Sequence, residues 1–219
     1  HARRGGAGLS PSFPAQNDER PRSLAGKLQG WLVALYGVEV PPIDPFVVPS
    51  DTGRETLRVV EEEGELGLAL HLPPEALGEA SGLSLDVLCQ VAEGVSHFVF
   101  LTERARRRLP ATQLELELQG EVDKFLIAAE VVLMARRASR LEPGVSMRLR
   151  ERLFERVTFL HDEGSEYGER YRLANRLASR FVRTLSYQLE QGTRVRAVCT
   201  LRRFFEAGQR EKIEIALAA

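Results

Sequence analysis

"EGVSHFVFLTERARRRLPATQLELELQGEVDKFLIAAE", residues 93–130, decides how most of the chain is read. Placed at helical steps, Leu88, Val91, Val95, Phe98, Val99 and Thr102 gather on one arc, with Asp86, Glu93, His97 and Arg104 opposite. Pro110 interrupts the pattern. Leu114, Leu118, Val122, Phe125, Ala129 and Val132 then form a second apolar arc. "QLELELQ" (113–119) alternates as a strand would, but it lacks β-branched residues and runs unbroken into "EVDKFLIAAEVVLMARR". The stretch therefore predicts two long helices, over 84–108 with Ser84 as cap and over 111–138.

The same residues raise a chemical question. Glu93 pairs with His97, and Glu117 with Glu121, each four residues apart and so on one face of its helix. Facing helices with such pairs can hold metal ions, provided the ligands project inward. The wheel puts Glu93 and His97 opposite the apolar arc, which predicts a solvated face. Glu121 flanks its own arc and Glu117 lies further out, with Lys124 placed to offset their repulsion. The Glu-x-x-His spacing of di-metal carboxylate bundles is absent. Ordinary surface pairs are the first expectation, and a metal site at Glu93, His97, Glu117 and Glu121 is the alternative. Phe100 and Leu101 make "FVFL" apolar nearly all round, which predicts a second covering element or subunit there.

Outward from this stretch, Pro143-Gly144 precedes a predicted helix over 146–160, and "HDEGS" precedes another over 166–190 capped by Ser165. Residues 193–206 suit helix or strand and are assigned to helix; a short helix after Gly208 closes the chain. Toward the N-terminus, "TLRVVEEEGELGLALHL" alternates around "EEGE" and reads as a β-hairpin, with Phe46–Val48 as a candidate third strand. Leu24, Leu28, Trp31, Leu32 and Leu35 predict a helix between a Ser23 cap and Gly37. Residues 1–22 have no apolar period and read as a flexible tail. The expectation is an α+β fold, predominantly α: an antiparallel helical bundle over 83–219, forming one domain with a helix and small β-hairpin over 23–82.

The 219 residues are 43% hydrophobic and 28% charged, with formal net charge -1, enough for a sizeable core. The charge is unevenly placed. Residues 44–135 carry 17 acidic and 7 basic side chains, and residues 140–212 carry 10 and 16. On the helix over 166–190, Arg172, Arg176, Arg180 and Arg183 gather opposite the apolar stripe, where guanidinium groups can take phosphates or acidic partners. A near-neutral chain argues against a dedicated nucleic-acid binder. No phosphate-cradling glycine loop, nucleophile elbow or zinc spacing is present, and Cys89 and Cys199 are read as reduced and partly buried. Ranked first is a non-enzymatic, cytoplasmic bacterial interaction module, an adaptor or homo-oligomer, with no cofactor and no membrane contact. Its partner surface is expected at Phe100, Leu101, Arg172, Arg176, Arg180 and Arg183. Nucleic-acid or phosphate binding through the arginines comes second, and a carboxylate/His metal enzyme third.

Overall fold

The computed structural model describes residues 23–62, 65–78 and 82–219. The predicted tail over 1–22 and part of the predicted "EEGE" turn lie outside the described residues. The chain is predominantly helical, with seven α-helices and a small three-stranded sheet among the described residues.

Helix α1 (Leu24–Tyr36) starts where the Ser23 hydroxyl accepts the Gly26 amide, and stops at Gly37, whose left-handed conformation (φ 69°) suits a residue without Cβ. Strands β1 (Val47–Pro49), β2 (Thr56–Glu62) and β3 (Glu65–Leu72) form a sheet in the order β1-β3-β2. β2 and β3 pair antiparallel, as the alternation predicts, whereas β1 lies parallel on the other edge of β3. The sheet is thus mixed, not a simple hairpin. The cause is the reversal after Pro49. The Ser50 amide donates to the Leu72 carbonyl, its hydroxyl bonds the Arg54 backbone, and the chain turns to start β2 antiparallel to β1.

Helices α2 (Leu85–Arg106), α3 (Gln113–Arg136), α4 (Pro143–Arg150), α5 (Glu166–Glu190), α6 (Arg194–Glu206) and α7 (Gln209–Leu217) follow. Ser84 and Ser165 cap α2 and α5 as expected, and α3 opens with a reciprocal capping box between Thr112 and Glu115. α4 begins at Pro143 itself, because a proline in the first turn removes an amide that no helix bond needs. It passes into a single π turn, Glu151–Glu155, with Arg156 N–H reaching back to the Glu151 carbonyl. The predicted helix over 146–160 is therefore shorter and starts earlier. By length and composition α2 could cross a membrane, yet half of that stretch is buried inside the protein.

α3 is the central element. It packs against α2 and α5 most extensively, and also touches α4 and α7. Covered on several sides, it buries Glu115, Glu117, Gln119, Glu121, Asp123 and Glu130 as well as Leu118, Val122 and Phe125. The prediction that the faces opposite the apolar arcs of α2 and α3 are solvated is therefore wrong. The angular placement holds, but protein rather than water lies on the second side. Phe100 is likewise fully buried, edge-on to Phe205 at 5.3 Å and beneath the Arg104 guanidinium. Phe98, Val99 and Phe100 are covered by their own chain, so Phe100 is not a surface residue, whereas Leu101 is half-buried. Cys89 and Cys199 are unpaired, and Cys199 is exposed rather than partly buried.

Candidate metal centre

Two buried polar groupings flank α3. On the side of α1 and α7, the Tyr36 hydroxyl donates to Asp123, which also accepts from Ser96 at 2.6 Å and Gln119 at 3.1 Å. Lys212, fully buried, donates to Gln119 Oε1 at 2.6 Å and to the Phe204 carbonyl at 2.7 Å. Burial pushes the Lys212 ammonium down to about 7 and the Asp123 carboxyl up to about 6. Every member of this grouping has a partner, so it reads as a satisfied structural network.

The second grouping is not satisfied. Glu93 and His97 of α2 meet Glu117 of α3, with one ligand-type atom from each lying within 4.8 Å of the others. His97 and Glu117 are buried, and Glu93 retains 21% side-chain exposure, which gives the cluster an edge toward solvent. His97 Nε2, itself buried, makes no hydrogen bond. Next to these three, Lys124 donates to Glu93 Oε2 at 3.0 Å and to Glu121 Oε1 at 2.8 Å, leaving Glu121 Oε2 buried without a partner.

Two glycines make the approach possible. A Cβ at Gly120 would stand 2.9 Å from His97 Nε2 and 3.4 Å from Glu93 Cγ, so any larger residue here would push the His97 ring from its place. A Cβ at Gly94 would stand 2.8 Å from Glu55 Oε1. Glu55, just before β2, has its amide held by the Gln90 side chain of α2 at 3.1 Å, and its side chain lies across Gly94. Glu55 Oε1 is also buried without a hydrogen-bond partner. From α5, the Tyr171 hydroxyl acts on the Glu117 carboxyl, with the Tyr171 ring stacked on His161 at 5.4 Å.

The electrostatics follow from crowding four carboxylates around one ammonium. Burial, then Glu93, pushes the Glu117 carboxyl up to about 8, against the pull of Tyr171 and Arg170. Burial and the neighbouring acids raise Glu55 well above the carboxylate range, and burial raises Glu121 despite Lys124. Burial would raise Glu93 too, but Lys124 and His97 outweigh it and hold that carboxyl below its ordinary value. Burial, with Lys124, lowers His97 against the opposing effects of Glu93 and of the Leu116 backbone beside the ring, favouring the neutral ring that can ligate a metal. Lys124 is the reverse case: burial disfavours its charge, but Glu121 and Glu93 prevail and keep it an ammonium.

Of the four residues of the sequence-derived alternative, Glu93, His97 and Glu117 come together, whereas Glu121 is joined to them through Lys124, which bridges it to Glu93. Sequence reasoning missed Glu55 and Tyr171 as members. It noted Lys124 only as an offset to Glu121. The available signals were Gly94 and Gly120, isolated glycines inside strongly helical patterns, which mark close approach. The arginines expected to bind partners lie elsewhere. Arg176, Arg180 and Arg183 are exposed on α5, whereas Arg172 turns to the His161 carbonyl at 3.2 Å and over the Phe159 ring. No family model, curated protein or solved structure matches this chain.

Proposed function

We propose that this protein binds a divalent metal ion at Glu93, His97 and Glu117, with Glu121 and Glu55 as adjoining carboxylates. One observation carries the reading: a buried imidazole nitrogen without a hydrogen bond stands among carboxylates in ligand-type proximity. Leaving buried polar atoms unpartnered is costly, at about 1–3 kcal/mol each. A cation would give His97 Nε2 a partner and offset the surplus negative charge. One imidazole with several carboxylates suits zinc, manganese or ferrous iron better than a soft, thiolate-seeking ion. Three protein donors leave coordination positions for water or substrate, the arrangement of a catalytic rather than a closed structural site. At such an ion a bound water would be acidified, and Glu121 or Glu55, once ionised by the cation's charge, would be the carboxylate placed to accept its proton.

The test is metal content after purification without chelators, with calorimetric titration of zinc and manganese into the stripped chain. Near-stoichiometric binding in the wild type is expected. His97→Ala should weaken it at least ~10-fold, the size expected for losing a ligand or its orientation. Wild-type protein that binds no divalent ion at millimolar concentration would end the proposal.

A second reading keeps the expectation of an interaction module. Arg176, Arg180 and Arg183 are exposed on α5 and, among the described residues, make no ion pair or hydrogen bond. They could take an acidic or phosphate-bearing partner. Replacing all three by Ala should abolish salt-dependent retention on an anionic matrix such as nucleic acid, and unchanged retention would remove this reading.

A further inference from the structure

We infer that Lys124 occupies the second cation position of the centre and restricts it to one metal ion. The inference rests on the metal reading above. Glu93 is shared: its Oε2 accepts from Lys124 at 3.0 Å, while the same carboxyl belongs to the cluster with His97 and Glu117. The same ammonium donates to Glu121, whose Oε1 accepts at 2.8 Å and whose Oε2 is buried without a partner. Hydrogen bonds thus link Glu93 through Lys124 to Glu121, while Glu93 itself also belongs to the group with His97 and Glu117. A carboxylate between two cation positions, with a further carboxylate beyond the second, is the layout of a two-metal site. Here the second position is filled by the protein's own ammonium.

Geometry supports the substitution. An ammonium nitrogen sits 2.8–3.0 Å from its carboxylate oxygens, and a metal ion about 2.0–2.2 Å. The acids need only close in by less than about 1 Å to hold an ion in place of the ammonium. Lys124 is well placed to persist as the occupant. It arises on α3 three residues after Glu121, its side chain is only 14% exposed, and among the described residues its hydrogen bonds go to these two acids alone. The functional consequence is a class of chemistry. A single ion can polarise a substrate oxygen or acidify a water, whereas the paired-ion clamp on attacking and leaving oxygens is closed to this centre.

The experiment counts manganese. Wild type, Lys124→Gln and Lys124→Met are saturated with Mn(II), and bound metal is measured by elemental analysis and electron paramagnetic resonance. The expected result is one uncoupled Mn(II) per wild-type chain. Either charge-removing variant should bind two ions, with a spin-coupled signal. Lys124→Met serves as the second variant should Lys124→Gln fail to fold. Two ions in the wild type, or one ion in a folded charge-removing variant, would overturn the inference while leaving the metal reading in place. No ion in the wild type would overturn the metal reading itself.

Discussion

At the scale of single residues, the centre depends on groups whose local cost is visible. Gly120 sits inside α3, where alanine is favoured by about 1 kcal/mol in helix propensity. Gly120→Ala should nevertheless harm the site, because its Cβ would press on His97 Nε2 at 2.9 Å. The expected outcome is a folded chain with unchanged helical content by circular dichroism and zinc affinity lowered at least ~10-fold in calorimetry. Glu117 gives a pH signature. Burial and Glu93 raise its carboxyl to about 8, so below that pH an entering ion must displace a proton. Metal affinity should climb by about tenfold per pH unit up to about pH 8 and then flatten, and Glu117→Gln should remove that slope. Glu93, His97, Glu117 and Glu121 were legible in the sequence as a possible set, but their burial and the addition of Glu55 and Tyr171 were not. A helical wheel fixes the angle between Glu93 and the apolar arc; what lies opposite the arc depends on which elements pack there.

At the scale of elements, local signals fared best where capping chemistry was explicit. Ser23, Ser84 and Ser165 each accept an amide three residues on, and the helices begin where those residues predict. Helix α3 shows why propensity and pattern can disagree. "QLELELQ" alternates because its polar side chains serve different neighbours: Glu115 accepts from Arg104, Glu117 turns to the cluster of α2 and α5, and Gln119 to Tyr36 and Lys212. The apolar arc through Leu118, Val122, Phe125 and Ala129 is buried, and polar partners line the helix on other sides of it. Its start is fixed by the Thr112–Glu115 capping box, in which Thr112 Oγ1 accepts from the Glu115 amide at 3.2 Å and Glu115 Oε2 from the Thr112 amide at 2.8 Å. Thr112→Ala should lower unfolding free energy by ~1 kcal/mol in urea denaturation without changing the slope. The mixed sheet was less legible, since the parallel edge strand depends on the Ser50 reversal, a tertiary bond to the Leu72 carbonyl that no periodicity encodes.

At the scale of the whole molecule, near-neutral net charge conceals an interior with surplus acid. The raised carboxyls of Glu117, Glu121 and Glu55 set the direction of the pH dependence. Each holds its proton more tightly folded than unfolded. Their stabilising contribution is thus complete below about pH 4.5 and lost as pH rises, for Glu117 through about 8. Asp123, raised to about 6, adds to this trend; His97, and above about pH 7 Lys212, act in the opposite sense, while the lowered Glu93 acts only below about pH 4.5. The metal-free chain should therefore lose stability between pH 5 and pH 8 in thermal denaturation, and saturating zinc should reverse that trend. The most direct test of the central claim is to locate an ion by anomalous diffraction from crystals grown with zinc. The account predicts a peak bonded to His97 Nε2 at about 2.1 Å, with Glu93 and Glu117 oxygens completing its protein ligands. A fully loaded crystal with its zinc elsewhere, and His97 Nε2 still without a metal neighbour, would contradict it.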